Sequence, residues 1–223
     1  MNSNEKQQVV YTPEGVRRQS PSRIQAVIFD FGGVVENNVM PLIYERTAEL
    51  FDKDFDTAKS AVKIFWREFC TRQDIEKFWS MIAGELGDAD KAGELEKMWM
   101  ETYKNDAVVD KKIEAVIKSL KQQGIKIALI SNMIKPMGEF NKQEKEIFQA
   151  FEPRVLSYEN GCKKPEHEIY EIALRLLNMR AEECLFADDK IKNVLGAEEV
   201  GMHVIHFKNA EQLEEELKKL KIL

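Results

Sequence analysis

The sequence predicts an α/β fold, a Rossmann-like parallel sheet with helices on both faces and a helical cap inserted after the first strand. From residue 109 onward, short apolar runs typical of buried strands alternate with segments whose apolar residues recur at helical spacing. Such alternation favours a parallel sheet with helices packed against it. Residues 37–108 carry only the helical spacing, and they interrupt the alternation directly after the first strand.

The first strand is expected at about residues 24–29, and Asp30 follows it at once. The run is apolar and rich in β-branched residues, which is typical of a buried central strand. A carboxylate is unusual beside a core, but ligands of open α/β sheets bind where the strands end. Gly32 and Gly33 come next, and glycine permits the sharp turn and close ligand approach that suit such a strand end.

The segment after this strand is predicted to form a helical cap domain at residues 37–108. Pro41 suits a helix start, and four stripes of apolar residues indicate four helices. The tryptophan and methionine side chains of these stripes either form the core of a helix bundle, which is the commoner case, or line a substrate pocket. Residues 1–22 are polar and are predicted to form an N-terminal tail.

The core domain is predicted to comprise residues 23–36 and 109–223. Further strands are expected at about 125–130, 154–157, 184–187 and 203–207. Helices are expected between them: Pro165 opens one, another ends near Gly201, and a third closes the chain. The stretch that leads up to residue 150 is characterised only as polar.

Polar residues follow four of these predicted elements, and they are expected to meet at one edge of the sheet. They are Asp30, the pair Ser131-Asn132, the pair Lys164-Pro165 and the pair Asp188-Asp189. Carboxylates bind Mg²⁺, while ammonium and hydroxyl groups neutralise phosphate oxygens. One carboxylate could also act as a nucleophile, so the set suits phosphoryl chemistry. A plain helix N-cap is the alternative for the aspartate pair.

At these residues the sequence resembles the haloacid dehalogenase-like (HAD) hydrolase superfamily, over about residues 24–207. The matching segments are 28–35, 129–132, 161–166 with 169–170, and 185–189 with Asn193. The branch it is most similar to contains phosphatases such as glucose-1-phosphate phosphatase and the phosphatase domain of soluble epoxide hydrolases. The helical insertion lies where that family carries its cap.

The resemblance implies a Mg²⁺-dependent phosphatase that acts on a small phosphorylated metabolite, such as a sugar phosphate. It assigns Asp30 as the nucleophile that forms an aspartyl-phosphate, with Lys164 neutralising the nucleophile and the transferred group. Asp30, Asp189 and the backbone carbonyl of Gly32 would be the metal ligands.

The same resemblance assigns the surrounding residues. Ser131, Lys164 and backbone N–H groups near Asn132 would bind the phosphate. Asp188 would lie beside the metal ion, and Asn193 would support it.

One position departs from the pattern of most phosphatases in the superfamily. They carry a second aspartate, the general acid and base, two residues after the nucleophile, and this chain has Gly32 there. A missing general acid typically lowers the rate about 10²–10⁴-fold. Three explanations are open: a substrate with a good leaving group, a proton donor elsewhere such as Glu36, or a weak site. The similar sugar-phosphatase branch also has glycine there, which favours the first two.

Two other functions remain as alternatives at this level. A 2-haloacid dehalogenase would use Asp30 to attack carbon without a metal, and a non-catalytic HAD-like protein would only bind phosphate. The net charge of −6 and the lack of a basic block argue against a nucleic-acid partner. The absence of a long apolar run argues against a membrane span. Three widely spaced cysteines fit a cytoplasmic protein, and the oligomeric state stays open.

Overall fold

The computed structural model describes residues 9–12, 15–18 and 23–223. Within the predicted tail, strands β1 (Val9–Thr12) and β2 (Gly15–Arg18) pair with each other in antiparallel register. The sequence pattern does not predict this pairing, because a single short hairpin has few apolar positions from which to detect it. The other residues of the predicted tail lie outside the described ranges.

The core is a five-stranded parallel sheet. Its strands are β3 (Ala26–Phe29), β4 (Lys126–Ser131), β5 (Arg154–Leu156), β6 (Cys184–Asp188) and β7 (His203–His206). They lie in the order β5-β4-β3-β6-β7, and every neighbouring pair is parallel. The predicted α/β class, strand number and parallel direction are therefore confirmed, and β3 lies in the centre of the sheet.

Helices cover both faces of this sheet. On one face lie α5 (Lys111–Gln122), the short α7 (Ser157–Asn160) and α10 (Ala210–Lys219), and on the other α8 (His167–Leu177) and α9 (Ile191–Glu199). Helix α6 (Lys135–Glu144) packs instead against the insertion. Successive side chains of β3 point to opposite faces: Val27 and Phe29 pack in one apolar cluster, and Ala26 and Ile28 in another. Because both faces are buried, the strand reads as a continuous apolar run.

The insertion between β3 and α5 is helical, as predicted. It contains α1 (Met40–Phe51), α2 (Phe55–Phe69), α3 (Glu76–Glu85) and α4 (Ala92–Asp106). Their inward faces form an apolar cluster of their own around Trp99, which two side chains of α6 join. The tryptophan stripe is thus largely bundle core, although Trp66 also borders a cavity.

Two helices differ from the sequence expectations. The helix expected to open at Pro165 begins at His167, two residues later, with Glu166 at its N-cap. Helix α6 was not predicted, because of its ten residues only Met137, Gly138 and Asn141 are buried. So few buried residues leave the apolar pattern too weak to detect.

The chain leaves and re-enters the core through two adjacent backbone segments. Glu36 and Val109 form a bridge, and Asp110 N–H donates to the Val35 carbonyl at 2.9 Å. The division into two domains at 36/37 and 108/109, beside these contacts, stays a prediction. Among the described residues, no helix has both the length and the apolar character needed to cross a membrane.

Candidate active site

Asp30 follows β3 directly and lies at the carboxyl edge of the sheet, 4% exposed. Phe31 N–H donates to its Oδ1 at 2.7 Å, and Lys164 Nζ lies 2.7 Å from the same oxygen. Within residues 23–223, no hydrogen-bond donor contacts Oδ2 of Asp30. Burial raises the pKa of Asp30 to about 6, against the attraction of Lys164. Oδ2 is therefore the oxygen available to react.

Lys164, in the loop before α8, is buried with 2% exposure. Its ammonium lies 2.7 Å from both Asp30 Oδ1 and Asp188 Oδ2, and it donates to the Ile130 carbonyl at 2.8 Å. One cation therefore holds two buried carboxylates. Such an arrangement is costly to desolvate and is stable only while each charge keeps its partner.

Asp188 ends β6 and is fully buried. Asn193, in the first turn of α9, donates from Nδ2 to both Asp188 oxygens at 2.9 and 3.0 Å. Burial alone would raise the pKa of Asp188, but Lys164 and these hydrogen bonds outweigh it and lower that pKa. The cluster therefore keeps Asp188 ionised.

Asp189 supplies the third carboxylate of the cluster. Its Oδ1 is buried and accepts no hydrogen bond from the described part of the chain, and the Lys190 ammonium is 3.5 Å away. Carboxylate oxygens of Asp30, Asp188 and Asp189 all lie within 4.8 Å of one another. Mg²⁺ prefers oxygen ligands of this kind, so three adjacent carboxylates with one buried oxygen that accepts no hydrogen bond fit a divalent cation.

The two residues predicted to bind phosphate lie at the end of β4. Ser131 is buried, and its side chain borders the same cavity as Asp30. Asn132 Nδ2 donates to the Lys164 carbonyl, and Lys164 N–H donates to Asn132 Oδ1, each at 2.9 Å. Both side-chain atoms of Asn132 thus hold the Lys164 loop, which leaves only its backbone for the predicted phosphate contact.

A cavity of about 850 Å³ opens over these strand ends, between the sheet and the inserted helices. Lys190 borders it and was missed in the sequence analysis, although it directly follows the aspartate pair. Burial alone would lower the pKa of the Lys190 ammonium, but Asp30, Asp189 and Asp188 outweigh it and raise that pKa. Lys190 therefore adds positive charge to the end of the cavity that lies over the strand ends.

Glu36, considered from the sequence as a proton donor, lies at the junction of insertion and core. Tyr103 of α4 donates to its Oε1 at 2.8 Å, and Lys145 forms an ion pair with its Oε2. Asn141 Nδ2 donates to the Tyr103 hydroxyl at 2.7 Å. Burial raises the pKa of Glu36, although Lys145 and Tyr103 oppose the shift. Both carboxylate oxygens are engaged, so Glu36 fastens the insertion to the core.

This junction makes a testable prediction. We expect Glu36→Gln to lower the free energy of unfolding by about 1–3 kcal/mol, because it leaves the largely buried Lys145 ammonium without its carboxylate. Urea denaturation measures the change. Glu211→Gln is the matched control, since it breaks an exposed ion pair with Lys112 and should change stability little. Equal effects of the two substitutions would contradict the proposed junction.

The two glycines after Asp30 give a second matched pair. Gly33 has φ +100°, and a Cβ there would lie 2.7 Å from Asp189 Oδ2, whereas a Cβ on Gly32 meets nothing within 4 Å. We expect Gly33→Ala to cost about 1–3 kcal/mol in the free energy of unfolding and Gly32→Ala to cost much less. Chemical denaturation of both variants measures this, and a Gly32→Ala loss as large as that of Gly33→Ala would refute it.

A parallel α/β sheet with a buried aspartate–lysine–aspartate cluster at its carboxyl edge defines a Rossmann-like protein with carboxylate chemistry at its strand ends. A family model described as haloacid dehalogenase-like hydrolase matches residues 24–201. The chain belongs to this family of hydrolases, which confirms the resemblance seen in its motifs.

Sequence similarity to individual relatives covers only part of the chain. The chain is 30% identical over 100 residues to a sesquiterpene phosphatase of Aspergillus oryzae, an alignment that covers 44% of this chain and 50% of the relative. It is 32% identical over 95 residues to a glyceraldehyde 3-phosphate phosphatase of Pyrococcus abyssi, covering 42% and 40%. The chain therefore spans about half the length, or less, of these curated relatives.

A solved structure shows the same fold. It is a HAD family enzyme of Bacteroides thetaiotaomicron in complex with magnesium and inorganic phosphate, with a TM-score of 0.69 and 18% sequence identity. The similarity covers 83% of this chain and 94% of that one. At this level of identity the comparison establishes the fold.

Proposed function

We propose that this chain is a Mg²⁺-dependent phosphatase that hydrolyses a small phosphorylated metabolite through an aspartyl-phosphate on Asp30. The observation that carries the proposal is the buried Lys164 ammonium between Asp30 and Asp188, 2.7 Å from each. It engages Oδ1 of Asp30 and leaves Oδ2 free to act as the nucleophile in this proposal. Relatives named as phosphatases support the same reaction class.

In this mechanism Oδ2 of Asp30 attacks the phosphorus atom and the P–O bond to the leaving group breaks. The leaving group departs as an alkoxide or phenolate, which then takes a proton from water. Lys164 neutralises the charge on Asp30 Oδ1. Together with the Ser131 hydroxyl and Lys190, it also stabilises the negative charge on the phosphoryl oxygens. A water molecule then attacks the aspartyl-phosphate, which releases inorganic phosphate and restores the carboxylate. The side chains of Asn193 and Asn132 position Asp188 and Lys164, respectively.

Asp30, Asp189 and the Gly32 carbonyl would hold the magnesium ion. Asp188 would lie beside it, because Asn193 and Lys164 engage its two oxygens. A bound Mg²⁺ supplies positive charge that offsets the repulsion between the phosphate and these carboxylates. The close group of three carboxylates, in which the buried Oδ1 of Asp189 accepts no hydrogen bond, is the feature that favours a cation here. It also favours the phosphatase over a metal-free 2-haloacid dehalogenase.

The test is hydrolysis of an aryl phosphate by the purified chain, with Mg²⁺ and with EDTA. We expect phosphate release that depends on Mg²⁺, and no halide release from a 2-haloacid. Halide release in EDTA would instead identify a dehalogenase. Phosphate binding without turnover would identify a non-catalytic phosphate-binding protein.

The glycine at position 32 predicts a steep dependence on the leaving group. With no carboxylic acid there to protonate the departing oxygen, kcat/KM should fall sharply from aryl or acyl phosphates and sugar-1-phosphates to simple alkyl phosphates. Gly32→Asp fits sterically, because the position opens into empty space, and it should flatten this dependence. Gly32→Asn is the matched control without a titratable proton. Equal wild-type rates on alkyl and aryl phosphates across a pH series would disprove the prediction.

A further inference from the structure

We propose that the leaving group of the substrate carries a second anionic group, a carboxylate or a second phosphate, bound by Lys63 and Arg67 of the inserted helices. This inference rests on the proposed phosphatase function and narrows its substrate class. Both side chains border the cavity that contains Asp30. The transferred phosphoryl group is assigned to the sheet edge, so the wall formed by α2 faces the rest of the substrate.

The spacing of Lys63 and Arg67 along α2 allows both side chains to contact the same ligand. Lys63 and Arg67 are four residues apart on α2, so they lie on the same helical face. Like charges at this spacing repel, so the arrangement weakens the helix slightly unless an anion lies between them. Arg67 is in the last turn of α2, where the helix dipole favours a cation, but Lys63 has no such benefit.

Neither side chain has a carboxylate partner within the part of the chain that the structure describes. Cations next to them on α2 and just after it do: Lys59 pairs with Asp56 at 3.9 Å and Arg72 with Glu68 at 2.8 Å. The unpaired cations are thus the two that face the cavity. In a chain with a net charge of −6, positive charge placed there indicates an anionic ligand.

The other lysines of the cavity wall differ in their pairing. Lys164 is held by two carboxylates, Lys163 pairs with Glu166 at 3.1 Å, and Lys190 lies 3.5 Å from Asp189 Oδ1. Lys192, exposed at the start of α9, has no ion pair in the described ranges and adds to the positive field. The cavity wall therefore carries positive charge beyond that which the carboxylates at the strand ends neutralise.

An organic group fits between the two charged ends. Trp66 lies between Lys63 and Arg67 in the sequence, borders the cavity, and stacks on Trp99 with ring centroids 6.0 Å apart. Tyr44 and Met40 of α1 also border it. Aromatic and apolar walls suit a carbon skeleton, so the expected substrate has a phosphate at one end, an apolar middle and an anion at the other.

The test compares two isosteric substrates, 4-carboxyphenyl phosphate and 4-carbamoylphenyl phosphate. We expect the wild-type chain to prefer the carboxylate by about tenfold or more in kcat/KM, since hydrogen bonds to charged groups are the stronger kind. Lys63→Gln/Arg67→Gln should remove about 10–100-fold for the carboxylate and less than about threefold for the carbamoyl compound. 1,4-Phenylene bisphosphate tests a second phosphate in the same way.

Lys77→Gln/Lys97→Gln is the control, because it removes two exposed cations of the same insertion that do not border the cavity. Equal losses for both substrates in Lys63→Gln/Arg67→Gln would mean general electrostatic steering and would overturn the inference, as would a wild-type chain that prefers neither charged probe.

A binding measurement tests this inference independently of the proposed function. Calorimetry of the same compounds with Asp30→Asn needs no turnover. A binding preference for the charged compounds, lost in Asp30→Asn/Lys63→Gln/Arg67→Gln, supports the anion site even if the wild type hydrolyses nothing. Hydrolysis without a preference for the charged compounds would support the phosphatase function and contradict the anion site.

Discussion

Replacing Asp30 with asparagine is expected to lower kcat by about 10⁴-fold or more, because the amide oxygen cannot form the acyl phosphate on which the proposed mechanism depends. The substitution preserves side-chain volume and keeps an oxygen to accept from Phe31 N–H. Steady-state release of phosphate from an aryl phosphate with Mg²⁺ measures the loss. Unchanged turnover would remove Asp30 as the nucleophile.

The same variant should fold normally, which distinguishes chemistry from stability. Burial raises the pKa of Asp30 from 3.8 to about 6, so the ionised carboxylate opposes folding at neutral pH. Relative to the variant, the wild-type chain should lose stability as pH rises from about 4 through 6. Thermal unfolding in EDTA across this range tests the sign. Asp110→Asn is the control, since asparagine also caps a helix as Asp110 does for α5.

Replacing Lys164 with methionine should have the largest effect on stability. It leaves Asp30 and Asp188 buried without their shared cation, and the loss of one partner from a buried ion pair costs roughly 3–5 kcal/mol. In a chain of 223 residues this corresponds to a fall in Tm of about 10 °C. Urea denaturation at neutral pH measures the free energy of unfolding directly.

The neighbouring lysine provides the control for this prediction. Lys163→Met removes the same charge one residue earlier, but Lys163 is partly exposed and pairs with Glu166, so its loss should cost less than about 1 kcal/mol. Adding Asp188→Asn to Lys164→Met should recover part of the stability by removing one unpaired carboxylate. A Lys164→Met chain as stable as Lys163→Met would contradict the assigned role of the cluster.

Much of the architecture follows from short-range sequence pattern. The apolar run before Asp30 predicted a buried strand, and the polar residues at its end and at the ends of β4 and β6 predicted a common edge. Parallel strands place their carboxyl ends together whatever their order in the sheet, so Asp30, Ser131 and Asp188 could be grouped without knowing that order.

Other features depend on pairing between distant segments and carry no local pattern. Tyr103 and Lys145 both contact Glu36, over 67 and 109 residues of sequence, and neither was predicted. The two hydrogen bonds between the Asn132 side chain and the Lys164 backbone were also not predicted. An asparagine after a strand is equally typical of a ligand-binding residue.

The sequence by itself determined the α/β class, the helical insertion and the acidic strand ends, since periodic burial and strand-end polarity are encoded residue by residue. Only the tertiary structure decided which oxygen of Asp30 is left free, that Glu36 fastens the insertion, and that Lys63 and Arg67 face the same cavity as Asp30. Those outcomes depend on how the inserted helices pack over the sheet, and packing is set by side-chain shapes across many residues rather than by spacing along the chain.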